Sequence, residues 1–279
     1  MKVRYLPLLL LAACGNHEEN KATSLTAAAS DVPTLDFSVG DVHRHDTASY
    51  TEGLLFHDHQ LFESSGANPD DPAYRRSMVG ILDMSTGRID KKVELDKNNY
   101  FGEGIAFFKN RLYQLTYKNQ TGFIYDAATY KRVDSFRYRN AEGWALTTDS
   151  NDLIMSDGTS TLTWLDPVTC KPVKTLAVTE NGLGLDSLNE LEYINGYLYA
   201  NRYLRNYIVK IDPATGKVLA RLDLSSIVDA ERARRPGGQV SGSIDYDHVL
   251  NGIAYDREND KIYVTGKLWS GIYQLNFAH

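Results

Sequence analysis

Two cysteines in 279 residues, Cys14 and Cys170, are too few for a disulfide framework. Positive charge is also short. There are 30 Lys and Arg against 36 Asp and Glu, a net charge of −6, so no face can neutralise a row of phosphates, and a nucleic-acid partner is excluded. Long runs of one charge are absent, as expected of a globular chain. The apolar run from Tyr5 to Ala13 is about half of what spans a bilayer, so it is not a membrane helix.

Aromatic residues are plentiful instead. Eighteen Tyr and 42% hydrophobic residues make a composition rich in strand formers, in a chain long enough for one large domain or two small ones.

The N-terminus is a different material. Lys2 and Arg4 precede the apolar run, which ends in Leu11-Ala12-Ala13-Cys14-Gly15. A basic start, a short apolar centre and small residues at the cut describe an export signal. The Leu-Ala-Ala-Cys ending resembles a bacterial lipobox, which implies cleavage after residue 13 and a diacylglycerol on Cys14. Loss of Lys2 and Arg4 would take the charge to −8. The alternative is an ordinary signal peptide with a chance Cys. Residues 14–33 are then a lipidated Cys and a polar tether without apolar period, and 34–279 the folded domain. The expected location is the bacterial cell envelope, lipid-anchored on the periplasmic or extracytoplasmic side. Membrane contact would run through the anchor alone, and the protein is expected to be a monomer.

A repeat decides the fold. Glu52-Gly53-Leu54-Leu55, Glu103-Gly104-Ile105-Ala106, Glu142-Gly143-Trp144-Ala145, Glu190-Leu191-Glu192-Tyr193 and Asn251-Gly252-Ile253-Ala254 recur at spacings of 51, 39, 48 and 61 residues, the period of a propeller or similar array. Each opens a unit of short strands, with a second strand such as Leu112 to Leu115 and a third ending in an Asp- or Gly-marked turn such as Asp166-Pro167. Four strands make a blade. The fifth unit lacks its last strand, while Leu35 to Val42 is a spare one, so pairing the two closes the ring. The fold class is therefore all-β, a five-bladed β-propeller closed by an N-terminal strand; a long sandwich or open solenoid is the alternative. Ser64 to Ser77 reads as a loop, and Ser225 to His248 as a long insertion with a short helix over Asp229 to Arg235 and a position suited to a lid.

Equivalent positions of propeller blades surround one axis, so Glu52, Glu103, Glu142, Glu190 and Asn251 are expected to ring the channel. Most such residues cap strands; crowded carboxylates nevertheless raise one another's pKa toward the range of a proton shuttle.

Seven segments carry a resemblance: Tyr50-Thr51-Glu52-Gly53-Leu54, Phe101-Gly102-Glu103-Gly104, Gln114-Leu115-Thr116-Tyr117, Glu142 to Thr147, Met155 to Gly158, Leu188-Asn189-Glu190-Leu191-Glu192, and Leu250 to Ala254 with Val264 to Trp269. In this order, from about residue 36 to 277, they resemble the plant and bacterial glutaminyl-peptide cyclotransferases, a family of five-bladed propellers. The resemblance implies conversion of an N-terminal glutaminyl residue of a peptide or protein to 5-oxoproline, with release of ammonia. By that similarity Glu103 is the proton shuttle, Asn189 and Lys267 bind the carboxamide, and Lys267 stabilises negative charge. Tyr50, Glu52, Phe101, Tyr117, Trp144 and Tyr203 would form the substrate pocket. Two departures stand out: the family more often has Gln at the place of Glu52, and Trp at the places of Tyr117 and Tyr203.

No cofactor or metal is required by that chemistry. His43-x-His45 and His57-x-His59 have a spacing that can bind zinc but read as unliganded surface histidines. Asp70-Asp71 and Asp245-Tyr246-Asp247 leave room for a structural calcium, although solvated loop charges are the simpler reading. Two functions of other classes compete: a non-catalytic envelope docking platform, and a propeller hydrolase with a central divalent metal.

Overall fold

The computed structural model describes residues 31–67, 76–235 and 247–279. Alternation of short apolar strands with Gly- and Asp-marked turns produces five four-stranded antiparallel sheets around one axis. Blade one runs through Thr51–His57, Gln60–Ser65, Met78–Asp83 and Arg88–Glu94, and blade two through Gly102–Phe108, Arg111–Thr116, Thr121–Asp126 and Arg132–Arg137. Blade three comprises Leu146–Thr148, Leu153–Met155, Thr161–Leu165 and Pro172–Ala177; blade four Leu188–Ile194, Tyr197–Arg202, Tyr207–Ile211 and Val218–Asp223. Blade five has Leu250–Asp256, Lys261–Gly266 and Gly271–Asn276, and its fourth strand is Ser38–Arg44 from the N-terminus.

That closure was legible in the sequence, though the strand begins three residues later than the spare segment suggested. Ser38 faces Asn276 and Arg44 faces Gly271 across an antiparallel ladder. The preceding residues bind blade four instead, where Leu35 N donates to Arg221 O at 2.8 Å. One segment therefore straddles two blades.

Stacked blades bury both faces of their inner strands, which explains continuous apolar runs such as Leu112-Tyr113 in place of strict alternation. Outer strands such as Arg132–Arg137 face solvent and are mostly exposed. Five apolar clusters of described residues fill the five blade interfaces, with Phe62 and Phe107 between blades one and two and Leu54 and Tyr263 between blades one and five. Burial of each large apolar side chain contributes about 1.5–3 kcal/mol. The Asp-marked turns work as read. Asp83, Asp126, Asp166 and Asp212 each accept hydrogen bonds from a Ser or Thr hydroxyl two or three residues on, fixing the link from third to fourth strand.

Three features differ from the sequence reading. The helix spans Ser225–Arg234, starting four residues before Asp229. A small hairpin, Thr179–Glu180 with Leu183–Gly184, sits between blades three and four. The third correction concerns register. Leu54 faces Glu63, Ile105 faces Gln114, Leu146 faces Met155, Leu191 faces Ala200 and Ile253 faces Val264. The residues two positions earlier, Glu52, Glu103, Trp144, Asn189 and Asn251, are the equivalent ones. Ser64 Oγ bonding Glu103 O matches Ser156 Oγ bonding Asn189 O, which fixes the same alignment independently. Glu142 and Glu190 therefore do not belong to the ring slot. Glu142-Gly143 precedes the short inner strand of blade three, and its likeness to the other Glu-Gly pairs is coincidental.

The lipidation site Cys14, the Asp70-Asp71 pair and Asp245 lie outside the described residues, as do most of the lid segment's residues after Arg235.

Candidate active site

The N-terminal ends of the inner strands surround one mouth of the channel, and there they line a cavity of about 490 Å³. All nine site residues expected from the resemblance border it. Glu103, Asn189 and Lys267 are on its wall with Glu52, and the aromatic side chains of Tyr50, Phe101, Tyr117, Trp144 and Tyr203 complete it.

Its floor is charged and dry. Glu52, Glu103, Asn189 and Lys267 are each 4% exposed or less. Lys267 follows the second strand of blade five, and its Nζ reaches across to Glu52 Oε2 at 2.5 Å. Asn251 Nδ2 contacts the same oxygen at 3.4 Å while holding Thr51 O at 2.9 Å, so it steadies Glu52 from the neighbouring blade. Glu52 and Glu103 share a hydrogen bond. Burial, then the Glu52 charge, pushes the Glu103 carboxyl well above the usual range, with Lys267 opposing. Burial also raises Glu52, against the pull of Lys267. Their hydrogen bond favours the proton on Glu103 and the charge on Glu52. The arrangement is an acid beside its own acceptor, with a cation at hand.

The walls are aromatic and half-buried. Tyr50 meets Phe101 edge-on at 6.1 Å between ring centres, Phe101 meets Tyr117 at 6.0 Å, and Trp144 meets Tyr203 at 5.6 Å. Glu142, displaced from the ring, accepts the Trp144 Nε1–H at 2.9 Å and lies 3.5 Å from Lys118 Nζ, which caps the Tyr117 ring at 4.5 Å. It orients the wall and does not join the floor. Asn189 Oδ1 is a buried acceptor with no partner, on a residue that borders the cavity. Such an atom is costly to leave unbonded, and a substrate N–H would satisfy it.

Sequence reasoning missed the outer rim, Lys97 to Tyr100 with Lys118 and Asn119. The position of Lys118 and Asn119 directly after Tyr117 was the available signal. The other displaced residue, Glu190, accepts Ile253 N at 2.8 Å and Leu54 N at 3.3 Å. It ties the inner strands of blades four, five and one beneath the cavity. Burial and the charge of Glu192 raise its pKa well above the ordinary value.

The histidines separate. His43 packs near Tyr263, His57 stacks on Phe107 at 3.8 Å, and His59 pairs with Glu258 at 2.8 Å. His45 is no surface residue: it is buried against Glu63, because the turn after the closing strand carries it under blade one. Among the described residues no three His, Cys, Asp or Glu side chains are placed to hold a metal ion.

Fold and site together define a five-bladed propeller with a buried pair of carboxyl groups beside a lysine at one channel mouth. Residues 8–277 match the glutamine cyclotransferase family, and the chain belongs to it. It is 39% identical over 232 residues to the glutaminyl-peptide cyclotransferase of Arabidopsis thaliana, covering 83% of this chain and 68% of that protein. The crystal structure of Myxococcus xanthus glutaminyl cyclase matches it with a TM-score of 0.76 at 28% identity, over 89% of this chain and 98% of that one.

Proposed function

We propose that the protein cyclises N-terminal glutaminyl residues of peptides and proteins to 5-oxoproline and ammonia, with Glu103 as the proton carrier. The observation that carries this reading is the buried Glu52–Glu103 pair beside Lys267 in an aromatic-walled pocket. The reaction needs a folded substrate, a proton moved between two nitrogens, and support for a developing oxyanion. The aromatic walls hold the side chain so that its α-amine meets its own carboxamide carbon, an effective-molarity gain. As the nitrogen–carbon bond forms, Glu103 gives its proton to the leaving nitrogen. The carboxylate left on Glu103 takes up the proton that the attacking amine releases, so the site returns to its starting state. Lys267 has two further N–H donors besides the one on Glu52, and these serve the carboxamide oxygen as charge develops. Asn189 Oδ1 receives a substrate N–H.

Ammonia release from a short Gln-initiated peptide by the full chain in detergent tests this. Glu103→Gln lowers kcat by roughly 10²–10⁴-fold, and EDTA leaves the wild type unchanged. Folded wild type without turnover points to a docking platform, and chelator-sensitive turnover to a metal-dependent hydrolase.

The envelope location belongs to the same proposal. Lys2, Arg4, the apolar run and Leu11 to Gly15 support a lipid on Cys14. Labelled fatty acid incorporated by the wild type and absent from Cys14→Ser is the expected result.

A further inference from the structure

A second buried pair lies beneath the pocket and outside its lining. His45 follows the closing strand, and its ring Nδ1 is 2.9 Å from Trp269 O while Nε2 is 3.1 and 3.0 Å from the two oxygens of Glu63. Both side chains are fully enclosed. A carbonyl only accepts, so Nδ1 carries a hydrogen. Glu63 Oε1 also accepts from Ser49 Oγ and, at 2.7 Å, from Thr51 Oγ1, and with its pKa held low by His45 and these donors the carboxylate accepts from Nε2 too. Burial works against charging this ring, but Glu63 outweighs it and holds His45 above its ordinary pKa. The pair is an imidazolium and a carboxylate, neutral in sum.

Its bonds grip what builds the pocket. Ser49 and Thr51, both held by Glu63, flank Tyr50. Trp269, held by His45, stands two residues after Lys267, and Leu268 N donates to Ser49 O at 2.8 Å between the two segments. Lys267 Nζ lies 4.2 Å from the centre of the Tyr50 ring. A rigid neutral link thus runs from the closing strand to the two residues whose side chains meet over Glu52.

We propose that the His45–Glu63 pair is a positioning clamp that seats Lys267 against Tyr50 and Glu52, and so sets where the cation meets the substrate carboxamide. The substrate part rests on the cyclotransferase reading; the seating of Lys267 does not. A pair retained only for folding would affect stability and leave the lysine where it is. A clamp affects the lysine, because a displacement of about 1 Å at reacting groups costs as much as 10²-fold in rate.

Two sets of substitutions test it. Glu63→Gln removes the charge, and Ser49→Ala with Thr51→Val removes the bonds flanking Tyr50 while leaving the ion pair. Each is examined for its melt, for kcat and KM on a Gln-initiated peptide, and for the rate at which acetic anhydride labels Lys267, followed by mass spectrometry. The expected result is a cooperative melt, kcat lowered roughly tenfold or more with KM changed by less than about threefold, and Lys267 labelled roughly tenfold faster. Unchanged labelling in the folded variants overturns the clamp, as does a kcat loss that only tracks the folded fraction. If Glu63→Gln does not fold, the hydroxyl variant decides. Labelling reports on the clamp even if the wild type turns over no glutaminyl peptide, so the two readings fail separately.

Discussion

Glu52 Oε2 faces Lys267 Nζ at 2.5 Å with both side chains buried, so the cation of the site is matched by a carboxylate that shares a hydrogen bond with Glu103. The charge on Glu52 is one of the two main causes that raise the Glu103 pKa, burial being the larger. Acid strength at the site is therefore set by a neighbour as well as by dryness.

Glu52→Gln tests that coupling. It removes the negative charge that raises Glu103 and leaves the positive charge of Lys267 that lowers it, so the Glu103 pKa falls. The limb of the pH–rate profile on which Glu103 loses its proton moves to lower pH by about one unit or more. Activity at the new optimum stays within roughly tenfold, since the group at 103 keeps its role. The resemblance points the same way, because the family more often has Gln there. A profile of kcat/KM against pH decides, and an unmoved limb assigns the titration to another group.

Stability follows from the same burial. Glu52, Glu103 and Glu190 have raised folded pKa values, and burial pushes Glu192 up to about 8. Each binds its proton more tightly folded than unfolded, so stability falls as pH rises from the ordinary carboxylate range through the folded values. His45, also raised, loses its contribution in the same direction. Against the effect of burial, Glu63 is held below its ordinary value by His45 and the hydroxyls of Ser49 and Thr51, so its contribution disappears only as pH falls through that low value. The melting temperature is expected to peak on the acid side of neutrality and to drop by roughly 5 °C or more between pH 5.5 and pH 9. Glu192→Gln flattens that slope, which differential scanning calorimetry at a series of pH values would reveal.

Much of this architecture was legible because propeller strands repeat their chemistry. The apolar pairs after each Gly and the Asp-marked turns after each third strand are local signals, and Leu35 to Val42 was identifiable as the missing strand because blade five lacked one. Register was harder. In blade three a loop Glu-Gly imitates the Glu-Gly of blades one and two, while the true equivalent, Trp144, shares no side-chain chemistry with Glu52 or Glu103. Structure reveals the slip, through the strand pairing of Leu146 with Met155 and the bond from Ser156 Oγ to Asn189 O. Periodicity placed Glu52 and Glu103 at the channel, while the other seven pocket residues were found through family likeness. The burial of His45 was illegible because its partners, Glu63 and Trp269, are distant in sequence and meet only when the ring closes.

Gly158 is a second hidden support of the pocket. It has φ +79°, and a Cβ there would stand 2.6 Å from Cζ2 of Trp144. Gly158→Ala therefore strains the backbone and pushes the indole off its seat, breaking the alignment with Tyr203. Stability falls by about 1 kcal/mol or more. KM for a Gln-initiated peptide rises roughly fivefold while kcat changes less, because the wall binds the substrate and does not move its proton. Steady-state kinetics on the folded variant separates the two constants; a kcat loss with unchanged KM would place Trp144 in the chemical step instead.

The closing strand carries the last prediction. Ser38–Arg44 is the outer edge of blade five, and its removal would strip the ladder from Gly271–Asn276. It would also withdraw Leu35 and Phe37 from the core between blades four and five. An unpaired edge beside an uncovered apolar seam invites association with other chains. A chain beginning at His45 keeps every pocket residue, yet it is expected to lose its cooperative melt and to elute as aggregates in size-exclusion chromatography. A chain beginning at Asp31 should behave as the full domain does. Adding the peptide 31–44 in trans to the shorter chain should restore part of the melt, since the strand pairs through its backbone and needs no covalent link to do so. Failure of the peptide, with the shorter chain monomeric and cooperatively folded on its own, would mean that the three remaining strands of blade five and the five-fold packing suffice without closure.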